Sequence, residues 1–206
     1  MTVNAVIFDI GNVLIEWQPE RRFAETIGPE RAPALFSAFD VHAMMNRIDA
    51  GHDFAATIAE TAQAHPDWQA EILRFRDGWT EIAQPAIPHS VRLLRALVAR
   101  GIPTFALTNF GAQNFPLSAA QFPFLTEFDR HYISGEMDLI KPDPAIYAAV
   151  EQDCALPPET LLFTDDRADN IATARSRGWK THLFDGPAGW AHCLVEHGLL
   201  TKDEAA

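Results

Sequence analysis

The sequence predicts an α/β fold: a doubly wound, Rossmann-like parallel sheet with a small helical cap domain inserted after its first strand. In the second half of the chain, short apolar runs alternate with helical segments, which is typical of a parallel sheet covered by helices on both faces. Ahead of them, residues 16–85 are helical in period. The predicted core therefore comprises residues 1–15 and 86–206, and the predicted cap comprises residues 16–85.

The first predicted element is a buried strand over residues 3–8, VNAVIF. Its residues are mostly β-branched or aromatic, and the run ends abruptly at Asp9, Gly11 and Asn12. A carboxylate therefore stands at the carboxyl end of the first strand.

The predicted cap consists of helices between two proline-containing hinges, residues 16–19 and 85–88. Its helical segments include RRFAETI, ALFSAFD, FAATIAETAQAH and AEILRFRDGW. At helical spacing, four phenylalanines are expected to form the core of this bundle: Phe23, Phe36, Phe39 and Phe54. The cap side chains expected to face either substrate or solvent are Trp17, Arg21, Arg22 and Arg47.

The second half begins with an amphipathic helix over residues 90–101, closed by Gly101 and followed by an apolar strand over 103–110. The same alternation continues to residue 184. The remaining predicted strands are 130–135, 160–166 and 180–184, and the remaining predicted helices are 144–153 and 168–178.

The composition argues against several classes of partner. The 206 residues include 16 Lys and Arg against 28 Asp and Glu, so the net charge of −12 would repel nucleic acid and anionic membranes. Two cysteines, Cys154 and Cys193, are too few for a disulfide framework and lack zinc-site spacing. The N-terminal apolar run is broken by Asp9, so no signal peptide or membrane span is expected there. These features predict a cytoplasmic protein.

Polar clusters follow three of the predicted strands: Asp9 the first, Thr108 and Asn109 the second, and Asp165 with Asp166 the fourth. Because the carboxyl ends of parallel strands share one edge of a sheet, these side chains are expected to converge. Three carboxylates that crowd together need a cation. An all-oxygen cluster favours a hard ion, and Mg²⁺ is the expected cofactor.

Lys141 is expected at the same edge, in the segment GEMDLIKPDPAIY. Its ammonium would balance the charge of a nucleophilic carboxylate and an incoming phosphate. Thr108 and Asn109 would cradle phosphate oxygens. This set of groups predicts phosphoryl transfer to Asp9, followed by hydrolysis of the aspartyl-phosphate.

Four segments resemble, in order, the four motifs of the haloacid dehalogenase superfamily. They are VIFDIGNVL (6–14), FALTN (105–109), Lys141 within SGEMDLIKPDPAIY (134–147), and LLFTDDRADNIATA (161–174). The resemblance spans nearly the whole chain. It implies that residues 16–85 are the small cap between the first two motifs, and that Asn170 orients Lys141 or a metal-bound water.

The resemblance also implies roles for the carboxylates. Asp9 would be the nucleophile and a metal ligand, and Asp166 the side-chain metal ligand. Asp165 would be either a ligand or a partner just behind the metal. The carbonyl of Gly11 would be a further magnesium ligand.

One position departs from the pattern of the phosphatases in this superfamily. They usually carry a second aspartate two residues after the nucleophile, as general acid and base, and here that residue is Gly11. Loss of a general acid costs a factor of about 10²–10⁴ in rate unless another group replaces it. Proteins of the FDIGNV type resemble sugar-1-phosphate phosphatases, whose anomeric phosphate leaves more easily. The candidate replacements in the cap are Glu16, His42 and His52.

The resulting prediction is a Mg²⁺-dependent phosphatase of a small phosphorylated metabolite, with sugar phosphates as one candidate class. The first alternative is a 2-haloacid dehalogenase that uses Asp9 on carbon. Gly11 favours it because halide needs no proton, whereas Asp165 and Asp166 oppose it because similar dehalogenases carry Ser and Asn there. The second alternative is a phosphate-binding module without turnover. A monomer and a homodimer are both compatible with the sequence.

Overall fold

The computed structural model describes residues 2–206 and contains a five-stranded, all-parallel sheet. The strands are β1 (Ala5–Phe8), β2 (Thr104–Thr108), β3 (Arg130–Ile133), β4 (Leu161–Asp165) and β5 (Lys180–Leu183), in the order β3-β2-β1-β4-β5. The α-helices are α1 (Pro19–Ile27), α2 (Ala32–Ala38), α3 (Val41–Asp49), α4 (Phe54–Ala64), α5 (Gln69–Asp77), α6 (Trp79–Ile82), α7 (Pro88–Ala99), α8 (Phe115–Gln121), α9 (Ser134–Met137), α10 (Pro144–Cys154), α11 (Ala168–Ser176) and α12 (Pro187–Glu196). The predicted α/β, Rossmann-like fold class is confirmed.

Helices cover both faces of the sheet, and the three central strands β1, β2 and β4 are buried along their whole length. Along β1, Val6 and Phe8 belong to one apolar cluster, while Ala5 and Ile7 belong to the other. The first cluster contains residues of α7 and α12, and the second contains residues of α10 and α11. Successive side chains of a strand point to opposite faces, so both layers are anchored on the same strand.

The register brings the ends of the central strands to one level. Phe8 pairs with Ala106 on one side and with Thr164 on the other. Asp9 and Asp165 therefore follow adjacent strand ends, as the sequence predicts. The strands are shorter than predicted: β1, for example, spans Ala5–Phe8 within the predicted 3–8, and β3 spans Arg130–Ile133 within the predicted 130–135.

Between β1 and β2, residues 16–85 form a separate layer that contains α1 to α6, and we call these residues the helical segment. Its two ends lie side by side, because the Glu16 amide donates to the Pro85 carbonyl and the Ile87 amide to the Leu14 carbonyl, each at 2.8 Å. The predicted phenylalanine core is confirmed. Phe23, Phe39 and Phe54 are buried, and Phe36 packs against them.

Trp79 joins the helical segment to the sheet. Its indole Nε1 donates to Ser118 Oγ in α8 at 2.8 Å, and its ring contacts Phe110 after β2 at a centroid distance of 5.6 Å. Trp17 packs on its other side at 5.2 Å. Among residues 2–206, no helix is both long enough and apolar enough to cross a membrane.

Candidate active site

A cavity of about 380 Å³ lies between the carboxyl edge of the sheet and the helical segment. Most of the predicted site residues line it: Asp9, Gly11, Thr108, Asn109, Lys141, Asp166 and Asn170. Asp165 is fully buried just behind them. The structure therefore brings together all eight residues that the sequence singled out.

Lys141 is the central cation of the site and is only 3% exposed. Its Nζ lies 2.7 Å from Asp165 Oδ2 and 3.0 Å from Asp9 Oδ1, and it donates to the Leu107 carbonyl at 2.8 Å. Burial alone would favour the neutral amine, but the charges of Asp165 and Asp9 raise the pKa of Lys141 above its ordinary value. The ammonium is therefore held charged, in one place.

The carboxylate of Asp165 is saturated by donors. Its Oδ1 accepts from the Arg167 amide at 2.8 Å and from Asn170 Nδ2 at 3.0 Å, while its Oδ2 accepts from Lys141 and from the same Asn170 nitrogen at 2.9 Å. Asp165 thus anchors the lysine from behind. Of the two roles that the sequence left open for Asp165, this geometry favours the supporting one.

Asp9 has one engaged oxygen and one available oxygen. Oδ1 accepts from the Ile10 amide at 2.7 Å and pairs with Lys141, whereas no donor among residues 2–206 bonds to Oδ2. Burial raises the pKa of Asp9 to about 7, against the lowering effect of Lys141. A further cation at the site would favour the carboxylate form.

Asn12 is a member of the site that the sequence analysis did not assign. Its Nδ2 donates to Asp166 Oδ2 at 2.9 Å, and its Oδ1 accepts from the Trp17 amide at 3.0 Å and from Gln18 Nε2 at 3.1 Å. It thereby fixes Asp166 to the first residues of the helical segment. The signal that the sequence offered was an asparagine directly after Gly11, because asparagine tolerates a positive φ in a tight turn. The φ of Asn12 is 55°.

The donor set fits a magnesium ion. Asp9, Asp165 and Asp166 each offer an oxygen, and these oxygens lie within 4.8 Å of one another. Three carboxylates against one ammonium, that of Lys141, leave the cluster with two negative charges in excess. The side-chain oxygen of Asn170, which also lines the cavity, is buried and accepts no hydrogen bond from residues 2–206. An all-oxygen, doubly negative site suits a hard divalent cation.

Thr108, the last residue of β2, and Asn109, which follows it, have different roles. Thr108 is 1% exposed and lines the cavity. The amide of Asn109, expected to face a phosphate, instead bonds the main chain of Lys141: its Oδ1 accepts from the Lys141 amide at 2.8 Å and its Nδ2 donates to the Lys141 carbonyl at 2.9 Å. Asn109 therefore holds the lysine loop in place.

The opposite wall comes from the helical segment. Trp17 and His42 line the cavity as the sequence allowed. Glu16 instead pairs with Arg21, and His52 does not line the cavity. The other predicted cap arginines also face away, since Arg22 bonds the Gln84 carbonyl and Glu25, and Arg47 pairs with Glu60.

Two cavity residues were not anticipated by the sequence analysis. Asn114 is fully buried, and neither its amide nitrogen nor its oxygen has a hydrogen-bond partner within residues 2–206. Asp49, the last residue of α3, is 8% exposed, and burial raises its pKa to about 7. Neither residue belongs to a motif, so only the packing of the helical segment and of the loop after β2 reveals them.

The fold and the site define a class of protein: an α/β protein with a carboxylate cluster at the carboxyl edge of a parallel sheet. The model of the family described as haloacid dehalogenase-like hydrolases matches residues 3–178, which is most of the chain. The chain belongs to this family.

Solved structures of the same fold include two kinds of enzyme. HAD family enzyme bt-2542 of Bacteroides thetaiotaomicron is 21% identical with a TM-score of 0.73, and the match covers 94% of this chain and 99% of that one. Its complex with magnesium and inorganic phosphate matches 87% of this chain and 93% of that one, at 22% identity and a TM-score of 0.68. L-2-haloacid dehalogenase of Xanthobacter autotrophicus, with chloropropionic acid covalently bound, is 17% identical with a TM-score of 0.61, over 97% of this chain and 85% of that one.

A curated relative matches only in part. Drimenol cyclase drtB of Aspergillus calidoustus is 32% identical over 80 residues, which is 39% of this chain and 15% of the cyclase. The likeness is therefore confined to a small part of that protein.

Proposed function

We propose that this hydrolase is a magnesium-dependent phosphatase of small phosphorylated metabolites, with sugar phosphates as the first class to test. In this proposal, residues 16–85 act as a cap over a core of residues 1–15 and 86–206. The observation that carries the proposal is the excess of two negative charges around Asp9, Asp165 and Asp166. That excess requires a divalent cation before a phosphate dianion can approach.

The available Oδ2 of Asp9 attacks phosphorus, and the bond to the leaving oxygen breaks to give an aspartyl-phosphate. Lys141 stays charged against the phosphate oxygens, and Thr108 supplies a hydroxyl donor. Water then hydrolyses the acyl phosphate and returns Asp9 as the carboxylate.

The magnesium ion would be held by Asp9, Asp166 and the carbonyl of Gly11. When bound, it supplies positive charge for the phosphate oxygens. Asp165 and Asn170 keep Lys141 in position from behind. The oxygen of Asn170 that has no donor is suited to accept from a water at the site.

The rival function is haloacid dehalogenation by the same Asp9. Gly11 and the likeness to the Xanthobacter dehalogenase support this alternative. Asp166 opposes it, because a carboxylate substrate would meet uncompensated negative charge in the absence of a cation.

The test compares phosphate release with chloride release, in Mg²⁺ and in EDTA. The substrates are p-nitrophenyl phosphate, a panel of metabolite phosphates and 2-chloropropionate. Wild type is expected to release phosphate with Mg²⁺ and to lose that activity in EDTA, and Asp9→Asn is expected to be inactive. Asp143→Asn, at the exposed N-cap of α10, is the matched control because asparagine also caps helices.

Two outcomes would contradict the proposal. Chloride release that is unaffected by EDTA would establish the dehalogenase instead. Bound Mg²⁺ without turnover of any substrate would point to a phosphate-binding module.

A further inference from the structure

Asp49 is an unpaired carboxyl group in the wall of the cavity. It ends helix α3, is 8% exposed, and lines the same cavity as Asp9. Among residues 2–206, no donor hydrogen-bonds to its side chain and no cation forms an ion pair with it. A buried carboxyl without a partner is costly when ionised, so a position of this kind needs an explanation.

Its surroundings favour the protonated form. Burial raises the pKa of Asp49 to about 7, the charge of Asp9 adds to this rise, and Lys141 opposes it. The position at the carboxyl end of α3 acts in the same direction, because that end of a helix carries partial negative charge. Asp49 can therefore exchange between its protonated and ionised forms near neutral pH, as a general acid and base must.

The other titratable groups around the cavity have other tasks or are exposed. Asp166 accepts from Asn12, and Arg167 pairs with Asp169. Glu20 and His42 are exposed. The charged groups that line the cavity with Asp49 are Asp9, Lys141, Asp166, Arg167, Glu20 and His42. The elements packed against α3 carry Glu60 in α4, which pairs with Arg47, and Glu136 in α9, which Asp138 follows.

The absence of a side chain at position 11 is not imposed by the backbone. Gly11 is not one of the glycines with positive φ, and an added Cβ would come no nearer than 4.0 Å to another atom, the Cβ of Trp17. An acid is therefore missing at a place that has room for one.

In-line displacement decides where a replacement must stand. Asp9 approaches phosphorus from the sheet, so the leaving oxygen points away from the sheet, toward the helical segment. Asp49 lies on that wall of the cavity.

We propose that Asp49 is the general acid and base of this site, supplied by the helical segment in place of a side chain at position 11. The assignment rests on the phosphatase function proposed above. In the first step, Asp9 bonds to phosphorus, the bond to the alcohol oxygen breaks, and that oxygen takes the proton of Asp49. In the second step, the Asp49 carboxylate accepts a proton from water, the water oxygen bonds to phosphorus, and the bond to Asp9 breaks. The products are the alcohol and inorganic phosphate.

The test uses two substrates that differ in whether the leaving group needs a proton from the enzyme. A nitrophenolate leaves p-nitrophenyl phosphate unaided, whereas the alkoxide of glycerol phosphate requires an acid. Asp49→Asn is expected to lower kcat/KM on glycerol phosphate by a factor of about 10²–10⁴, and on p-nitrophenyl phosphate by less than about tenfold. In wild type, kcat/KM on glycerol phosphate should fall as the pH rises through about 7, and Asp49→Asn should lack this decline.

Two further variants separate chemistry from folding. Asp40→Asn, at the exposed N-cap of the same helix, keeps a capping side chain and should retain both activities. Gly11→Asp in the Asp49→Asn background restores an acid beside the nucleophile, and should recover at least about tenfold on glycerol phosphate.

The outcomes distinguish the two proposals. If wild type releases phosphate but Asp49→Asn loses nothing on glycerol phosphate, or loses equally on both substrates, the assignment of Asp49 is overturned and the phosphatase stands. If wild type releases no phosphate from either substrate, both proposals fall together.

Discussion

The carboxyl group of Asp49 is buried at the end of α3, in a cavity that already holds the carboxyl of Asp9. Burial and the charge of Asp9 both raise the cost of ionising Asp49. Such an arrangement reduces stability at neutral pH, which is typical of groups that are kept for reactivity.

The first prediction follows from the pKa of Asp49. It rises from 3.8 to about 7 on folding, so between these values the folded state binds more protons than the unfolded state. The contribution of Asp49 to stability is therefore complete below pH 3.8 and is lost as the pH rises toward 7. Asp49→Asn removes this dependence, and its stability relative to wild type should increase by about 2–3 kcal/mol between pH 5 and pH 8.

Urea unfolding of both proteins at the two pH values measures this change. Any change in the free energy of unfolding that the asparagine causes independently of pH is the same at both pH values, so it cancels when the two values are compared. If the difference between variant and wild type is the same at both pH values, Asp49 is ionised throughout and the burial argument fails.

The sequence predicted the site residues that lie in motifs and missed those that reach the cavity through tertiary packing. Asp9 and Asp166 directly follow β1 and β4, where the topology brings them together, and Lys141 stands in the motif between α9 and α10. Asp49 and Asn114 reach the cavity only through the way the helical segment and the loop after β2 pack. Nothing in their local sequence separates them from ordinary helix residues.

Two adjacent aspartates, one at the end of β4 and one in the loop that follows it, have different roles. Asp165 is fully buried and accepts four hydrogen bonds, while Asp166 is half-buried and accepts one, from Asn12. Burial raises the pKa of Asp166, and a cation bound at the site would oppose that rise by favouring the carboxylate. The turn thus directs one carboxylate into the core and the other into the cavity.

The second prediction compares these neighbours by alanine substitution. Asp165→Ala leaves Lys141 and Asn170 without their main partner, and should destabilise the fold by about 3–5 kcal/mol. Asp166→Ala should cost less than about 1 kcal/mol but should abolish the stabilisation of the protein by added Mg²⁺. Thermal unfolding with and without Mg²⁺ measures both effects. Equal destabilisation by the two substitutions would contradict this division.

The alternation of apolar runs with helical segments predicted all five strands, but the short or irregular helices α8, α9 and α12 were missed. Helix α8 has a proline at its second position, and α9 has only four residues. Helix α12 begins at Pro187 and contains Gly189, which weakens the periodic signal. These helices form because tertiary packing supplies what local propensity does not.

At the scale of the whole molecule, one apolar cluster extends through the helical segment and one face of the sheet. Phe75 and Trp79 belong to it, and so do Leu94 and Trp190. The hydrogen bond from Trp79 to Ser118 joins the two parts within this cluster. The helical segment therefore shares one apolar cluster with the sheet layer, and separation would expose the apolar side chains at the join.

The third prediction is that both parts unfold together, in one cooperative transition. Three tryptophans lie in the helical segment, Trp17, Trp68 and Trp79, and two lie in the core, Trp179 and Trp190. Two reporter variants, each with the tryptophans of one part changed to phenylalanine, would follow the two parts separately by fluorescence. Each urea curve is compared with the far-ultraviolet dichroism of the same variant, so changes in stability cancel. Coincident curves in both variants are expected, because the shared cluster couples the parts. Fluorescence of the helical segment that changes at lower urea than the dichroism would show instead that it opens independently of the sheet.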